Sequence, residues 1–124
     1  MPANKRPVFL NLFRIRFPVT ALISIAHRVS GIVLVFALPG WLWVLQETLG
    51  SASDYQAMLQ TLHVYRIGVW LSLVACSFHM LSGLRHLMMD CGWGGSLSSA
   101  RISAVMVGVF SAALAGVFGV MLWS

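Results

Sequence analysis

The stretch Ile67–Leu84, IGVWLSLVACSFHMLSGL, decides the fold: 18 residues between Arg66 and Arg85 without a Lys, Arg, Asp or Glu. At helical rise it covers about 27 Å, close to the roughly 30 Å of a bilayer's hydrocarbon core. Backbone groups in hydrocarbon find no water, so the segment must satisfy them internally as a helix. Two further uncharged stretches flank it, Val29–Gln46 with 18 residues and Ile102–Ser124 with 23. The pattern predicts an all-α integral membrane protein with three transmembrane helices, drawn at approximately 20–49, 63–89 and 101–123.

The composition agrees. The chain has 124 residues, 59% hydrophobic and only 9% charged, with a mean hydropathy of +0.86. A soluble domain carries about a quarter charged residues, so disorder and a water-soluble enzyme fold are excluded. The length suits one domain and leaves no room for a large transporter. The net charge of +5 raises the question of nucleic acid, but the bases punctuate the spans, which points to lipid and not to nucleic acid. Cys76 and Cys91 stand about 22 Å apart along a helix, too far for a disulfide, and are expected as free thiols.

Pro39-Gly40 inside the first span is tolerated in a membrane, where neighbouring helices absorb a kink. The helix is expected to begin near Pro18, which suits a first helical position, and to send its first turns into the headgroup region. Lys5, Arg6, Arg14 and Arg16 precede it, and Arg85 and Arg101 flank the connection between spans two and three. The connection after span one, read as a loop, holds Glu47 and Asp54 with Arg66 beyond. The positive-inside rule then places the N-terminus in the cytoplasm or matrix and the C-terminus outside. The aromatic–arginine stretch Phe9–Phe17 reads as an interfacial anchor or, equally, as a docking arm for a soluble partner. No cleavable signal is recognisable, since the apolar core starts late and no small-x-small site follows it. In the third span, Gly108, Ala112 and Gly116, with Ser111, Ala115 and Gly119 beside them, suit close helix packing; nothing there titrates.

Ionisable groups inside a membrane mark function by default. His79 lies about 5 Å from the centre of its span. It is either a neutral imidazole bonded to a neighbouring helix or a metal or haem ligand. Gly83 follows one turn later, leaving flat space for a porphyrin, and His86 two turns later. Depth counting puts His86 and His27 about 16 Å from the midplane, with Arg28 and Arg85 alongside. They are then too high to share an iron with His79 but suit the propionates of a haem. His63, about 24 Å from His79, is expected as a solvated interfacial residue. A six-coordinate haem b needs two ligands, so the second would come from another polypeptide, or from a second copy of His79 in a homodimer. Ser24, His27, Arg28 and Gly31 share one face of the first helix. Either Arg28 snorkels to phosphate, or these donors hold a quinone headgroup.

Two motifs carry a resemblance to a known family. Arg6-Pro7, Phe17-Pro18 and Ser24-Ile25-Ala26-His27-Arg28-Val29-Ser30-Gly31 resemble the N-terminal signature of the cytochrome b membrane-anchor subunit of succinate dehydrogenase. His79-Met80-Leu81-Ser82-Gly83-Leu84-Arg85-His86, continuing to Asp90, is similar to that family's haem motif, His-x3-Gly-x-Arg-His-x3-Asp. The resemblance implies a haem-binding bundle formed with a second small membrane-anchor subunit, which supplies the other axial ligand to the iron of haem b opposite His79. It implies Ser24 and Arg28 at a ubiquinone site, and His27, Arg28 and His86 near the propionates. It also implies a flavoprotein and an iron–sulfur protein docked on the cytoplasmic side, passing electrons from succinate to quinone. The chain is then non-catalytic on its own, and a bacterial inner membrane is expected. The alternatives are the anchor of a quinol:fumarate reductase, which runs the chemistry backwards, and a haem-free structural anchor. A proton-coupled transporter subunit requires a carboxylate within a span, and Glu47, Asp54 and Asp90 all sit at span ends.

Overall fold

The computed structural model describes residues 17–124. Four helices follow in chain order: α1 (Val19–Thr48), α2 (Ala52–Val64), α3 (Arg66–Asp90) and α4 (Leu97–Trp123). Helices α1, α3 and α4, with 30, 25 and 27 residues, are long and apolar enough to cross a membrane. Pro18 takes the N-cap of α1, its carbonyl accepting from Ala21 and Leu22 at 2.9 and 3.2 Å. That is one residue earlier than a first helical position. Pro39 lies within α1, which continues through it to Thr48. The cationic and aromatic residues of the N-terminal arm up to Arg16, and with them the anchor and docking-arm readings, lie outside the described residues.

The connection after α1 is not a loop. Ser51 and Asp54 form a capping box that starts α2: Ser51 Oγ accepts from the Asp54 N–H, and Asp54 Oδ2 accepts from the Ser51 N–H at 2.8 Å. Two orphan donors at the helix start are satisfied reciprocally. With 13 residues, α2 reaches only about 20 Å and cannot span. It ends at Tyr65, which is also the cap of α3. The second span therefore begins at Arg66, and residues 63–65 belong to the last turn and elbow of α2. His63 is exposed there, as expected. Gly92 and Gly94, at φ of 84° and 78°, make the turn from α3 to α4. Such left-handed backbone suits glycine because it has no Cβ to clash.

The tightest packing joins α3 to α4. Ser82 and Ala104 are fully buried, and Val107 and Ser111 nearly so. Trp70 Nε1 donates to the Ala115 carbonyl at 2.9 Å, with Gly119 beside the indole. The packing face of α4 is thus the row through Ala104, Val107, Ser111, Ala115 and Gly119. Ala112 and Gly116, part of the stripe expected to pack, are exposed. A long row of large apolar side chains on all three spans, including Phe36, Ile67 and Val120, faces outward, as a lipid environment requires. Both cysteines are free and exposed.

Candidate functional site

Where α1 crosses α3, small residues let the helices approach. A Cβ on Gly31 would sit 3.1 Å from His79 Cε1, and one on Gly83 would sit 3.4 Å from His27 Nε2. Gly31 therefore makes room for the His79 imidazole, while at Gly83 a Cβ would come only to ordinary contact with His27. The rings of His27 and His79 stack at 4.1 Å between centroids with planes 20° apart. His86 closes the group, 5.2 Å from His27 and tilted by 52°.

This overturns the depth counting. His27 does not lie far above His79 but rests on it. The reason is register: the counting centred α1 on its uncharged run, whereas the helix packs on α3 through Ser30 and Gly31, well toward the other end. His27 is one turn from that crossing, and its side chain closes the remaining gap. The flat space beside Gly83, expected for a porphyrin, is taken here by the His27 ring.

The hydrogen bonds of His79 identify its tautomer. Nδ1 lies 3.1 Å from the His27 backbone carbonyl, which can only accept, so Nδ1 carries the hydrogen. Ser30 Oγ lies 3.0 Å from the same nitrogen and donates its own hydrogen to that carbonyl at 2.7 Å. Its lone pairs are thus free to accept from Nδ1–H. In a neutral imidazole this leaves the lone pair on Nε2, the form that binds a metal. A metal-ligating histidine usually donates its other N–H to a carbonyl or carboxylate, and His79 does so. The donor set also fits a single ligand. Stacked rings offer each other π faces instead of converging lone pairs, and no group of three His, Cys, Asp or Glu among the described residues could hold an ion. His27 Nε2 is buried with no hydrogen-bond partner among the described residues. Leaving such a group unpaired costs about 1–3 kcal/mol, and Ser82 Oγ and Ser111 Oγ between α3 and α4 are in the same state.

Ser24 is half-buried one turn before Arg28, and Arg28 is exposed, both on α1 beside His27. Arg85 is a correction. It lies with 6% exposure against α4, donating from Nε to Ser103 Oγ at 3.0 Å and from Nη2 to the Ala100 carbonyl at 2.9 Å. Six residues beyond His79, it is turned about 240° around α3 and away from the imidazoles. Its expected place beside propionates passes to a role in joining helices. Sequence reading quoted Ser30 without a role; its only signal was a small polar residue within a turn of His27 and next to Gly31.

A family model for the succinate dehydrogenase/fumarate reductase transmembrane subunit matches residues 2–118. The chain belongs to this family. Among similar proteins is the succinate dehydrogenase cytochrome b556 subunit of Coxiella burnetii, 38% identical over 122 residues, covering 96% of this chain and 98% of that protein. The proteins of the same name from Rickettsia bellii and Paracoccus denitrificans are 28% and 30% identical, covering 97% and 82% of this chain and 92% and 79% of theirs. Three candidate spans and an all-helical bundle are what a transmembrane subunit of this family needs.

Proposed function

We propose that the chain is the haem b membrane anchor of a succinate dehydrogenase, helping to form the site where ubiquinone is reduced. His79 carries this reading: a half-buried imidazole in mid-span, with Nδ1–H engaged by backbone and Ser30, leaves Nε2 ready to coordinate iron. The iron's other protein ligand would come from the second small anchor subunit, because this chain offers one suitable nitrogen. Haem b supplies a one-electron store within the membrane when it is bound. His27, Arg28 and His86 would receive its propionates, the first through the nitrogen that has no partner among the described residues.

Ser24 and Arg28 bind the quinone headgroup at the membrane edge. A hydroxyl and a guanidinium aimed at carbonyl oxygens stabilise the negative charge that builds as electrons arrive. The balanced change is quinone plus two electrons plus two protons giving quinol. The electrons come from succinate through a flavoprotein and an iron–sulfur protein, docked on the side where the N-terminus lies. That side is the cytoplasm if the membrane is a bacterial inner membrane, and the C-terminus is then periplasmic. The relatives are named for succinate dehydrogenase, which favours succinate oxidation over fumarate reduction as the working direction.

Affinity purification of the chain in mild detergent, with a reduced-minus-oxidised spectrum, tests this. Three companions, one of them flavinylated, and a b-type band are the expected result. Companions without the band would leave a haem-free anchor, and neither would sink the reading.

A further inference from the structure

We infer that Ser30 is a positioning residue for the iron ligand, holding the His79 ring plane through the hydroxyl that bridges α1 to α3; this rests on His79 being that ligand. The His27 carbonyl is the other acceptor for Nδ1–H, but it is contested. It has two lone pairs, serves the α-helical ladder of α1, and also accepts from Ser30 Oγ at 2.7 Å. The Ser30 oxygen, 3.0 Å from Nδ1, is the less burdened acceptor. Ser30 is itself only 7% exposed.

The geometry brackets the ring. The hydroxyl and the carbonyl engage one edge at Nδ1, while Gly31, having no Cβ, leaves room for Cε1, which a Cβ there would approach to 3.1 Å. With one acceptor a ring can swing about its Cβ–Cγ bond; two acceptors at the same nitrogen restrict that swing. Since Nε2 is fixed to the far side of the same ring, Ser30 sets the direction of the coordinating lone pair. Serine suits the position for a second reason: in a helix its hydroxyl bonds back to the carbonyl three residues earlier, and here that is the carbonyl His79 uses.

The test uses the intact complex carrying Ser30→Ala, Ser30→Thr or His79→Ala. Two readouts are the rate of haem transfer to excess apomyoglobin and the low-temperature electron paramagnetic resonance spectrum of the ferric haem, which senses the ligand plane. Ser30→Ala is expected to release haem about tenfold faster or more, the lower end of losses for outer partners of a metal ligand, and to shift the resonance. Ser30→Thr, which keeps the hydroxyl, is expected to restore both. Ser30→Ala with parental release and resonance overturns the proposal, as does a Ser30→Thr protein that behaves like Ser30→Ala. Haem retained by His79→Ala overturns the ligand assignment instead, so the two failures are told apart.

Discussion

The two long helix contacts of this protein are built on opposite principles. Between α3 and α4, the long polar side chains that enter the seam bond across it, Arg85 to Ser103 and Ala100 and Trp70 to Ala115, while Ser82 Oγ and Ser111 Oγ lie buried without a hydrogen-bond partner among the described residues. Near the far ends of the same helices, Arg66 lies 5.6 Å over the Trp123 ring, a further cation contact. Between α1 and α3, by contrast, three imidazoles meet at two glycines, and one ring nitrogen is left without a partner among the described residues. The first seam is a joint made by directed bonds between helices. The second gathers three imidazoles, one of them with its Nδ1–H engaged and a ligating lone pair left on Nε2. Polar residues inside a membrane are therefore not functional merely by being there; a side chain that can ligate a metal, oriented by its other bonds, separates the two cases.

Substitutions on the two sides should break different things. His79→Ala is expected to abolish the Soret and b-type absorbance of the purified complex while the three spans still insert; pigment that survives would erase the contrast. Next in size, Arg28→Ala should lower quinone reduction by about tenfold or more, the scale of losing a charge-stabilising donor. Succinate oxidation with an artificial acceptor should change little, and equal loss in both assays would count against a quinone role. On the structural side, Arg85→Gln should destabilise the α3–α4 pair by roughly 1–3 kcal/mol, because two buried hydrogen bonds from a charged group go. Thermal unfolding in detergent reads this as a lower Tm, with the haem spectrum of the folded fraction unchanged. A spectral change there would mean that Arg85 also serves the haem.

The smallest effect lies outside both seams. Ser51's side-chain hydroxyl and backbone N–H hold the Asp54 carboxyl below the usual carboxylate range. Because the folded-state value is depressed, the cap is fully present above the ordinary carboxylate pKa and is lost as pH falls through the lowered value. Fraying of the first turn of α2 on acidification, seen as faster amide exchange than in the Asp54→Asn protein's pH-corrected baseline would predict, checks the sign. Asp54→Asn should itself fray at neutral pH and show no further acid dependence there.

Much of this was legible along the chain. Three uncharged runs of spanning length can only be helices, since hydrocarbon offers the backbone no other partner. The residue types at His79, Gly83, His86, Ser24, His27 and Arg28 already singled out one end of two helices. The α2 capping box was legible too, as Ser51 three residues before Asp54, but its short, weakly apolar sequence passed for a loop. What hydropathy could not supply was register. How far α1 slides along α3 is set by where Ser30 and Gly31 let the imidazole of His79 in, and that moved His27 from an inferred distance to direct contact. Nor does helical spacing say which way Arg85 reaches; only the nearness of Ser103 and Ala100 on α4 turned it to a joining role. Burial in lipid is a property of composition and length, so sequence alone determined the class of fold. Contacts between helices depend on side-chain shape and hydrogen bonds across tens of residues, so only the tertiary structure decided which polar groups close a seam and which remain open for a ligand.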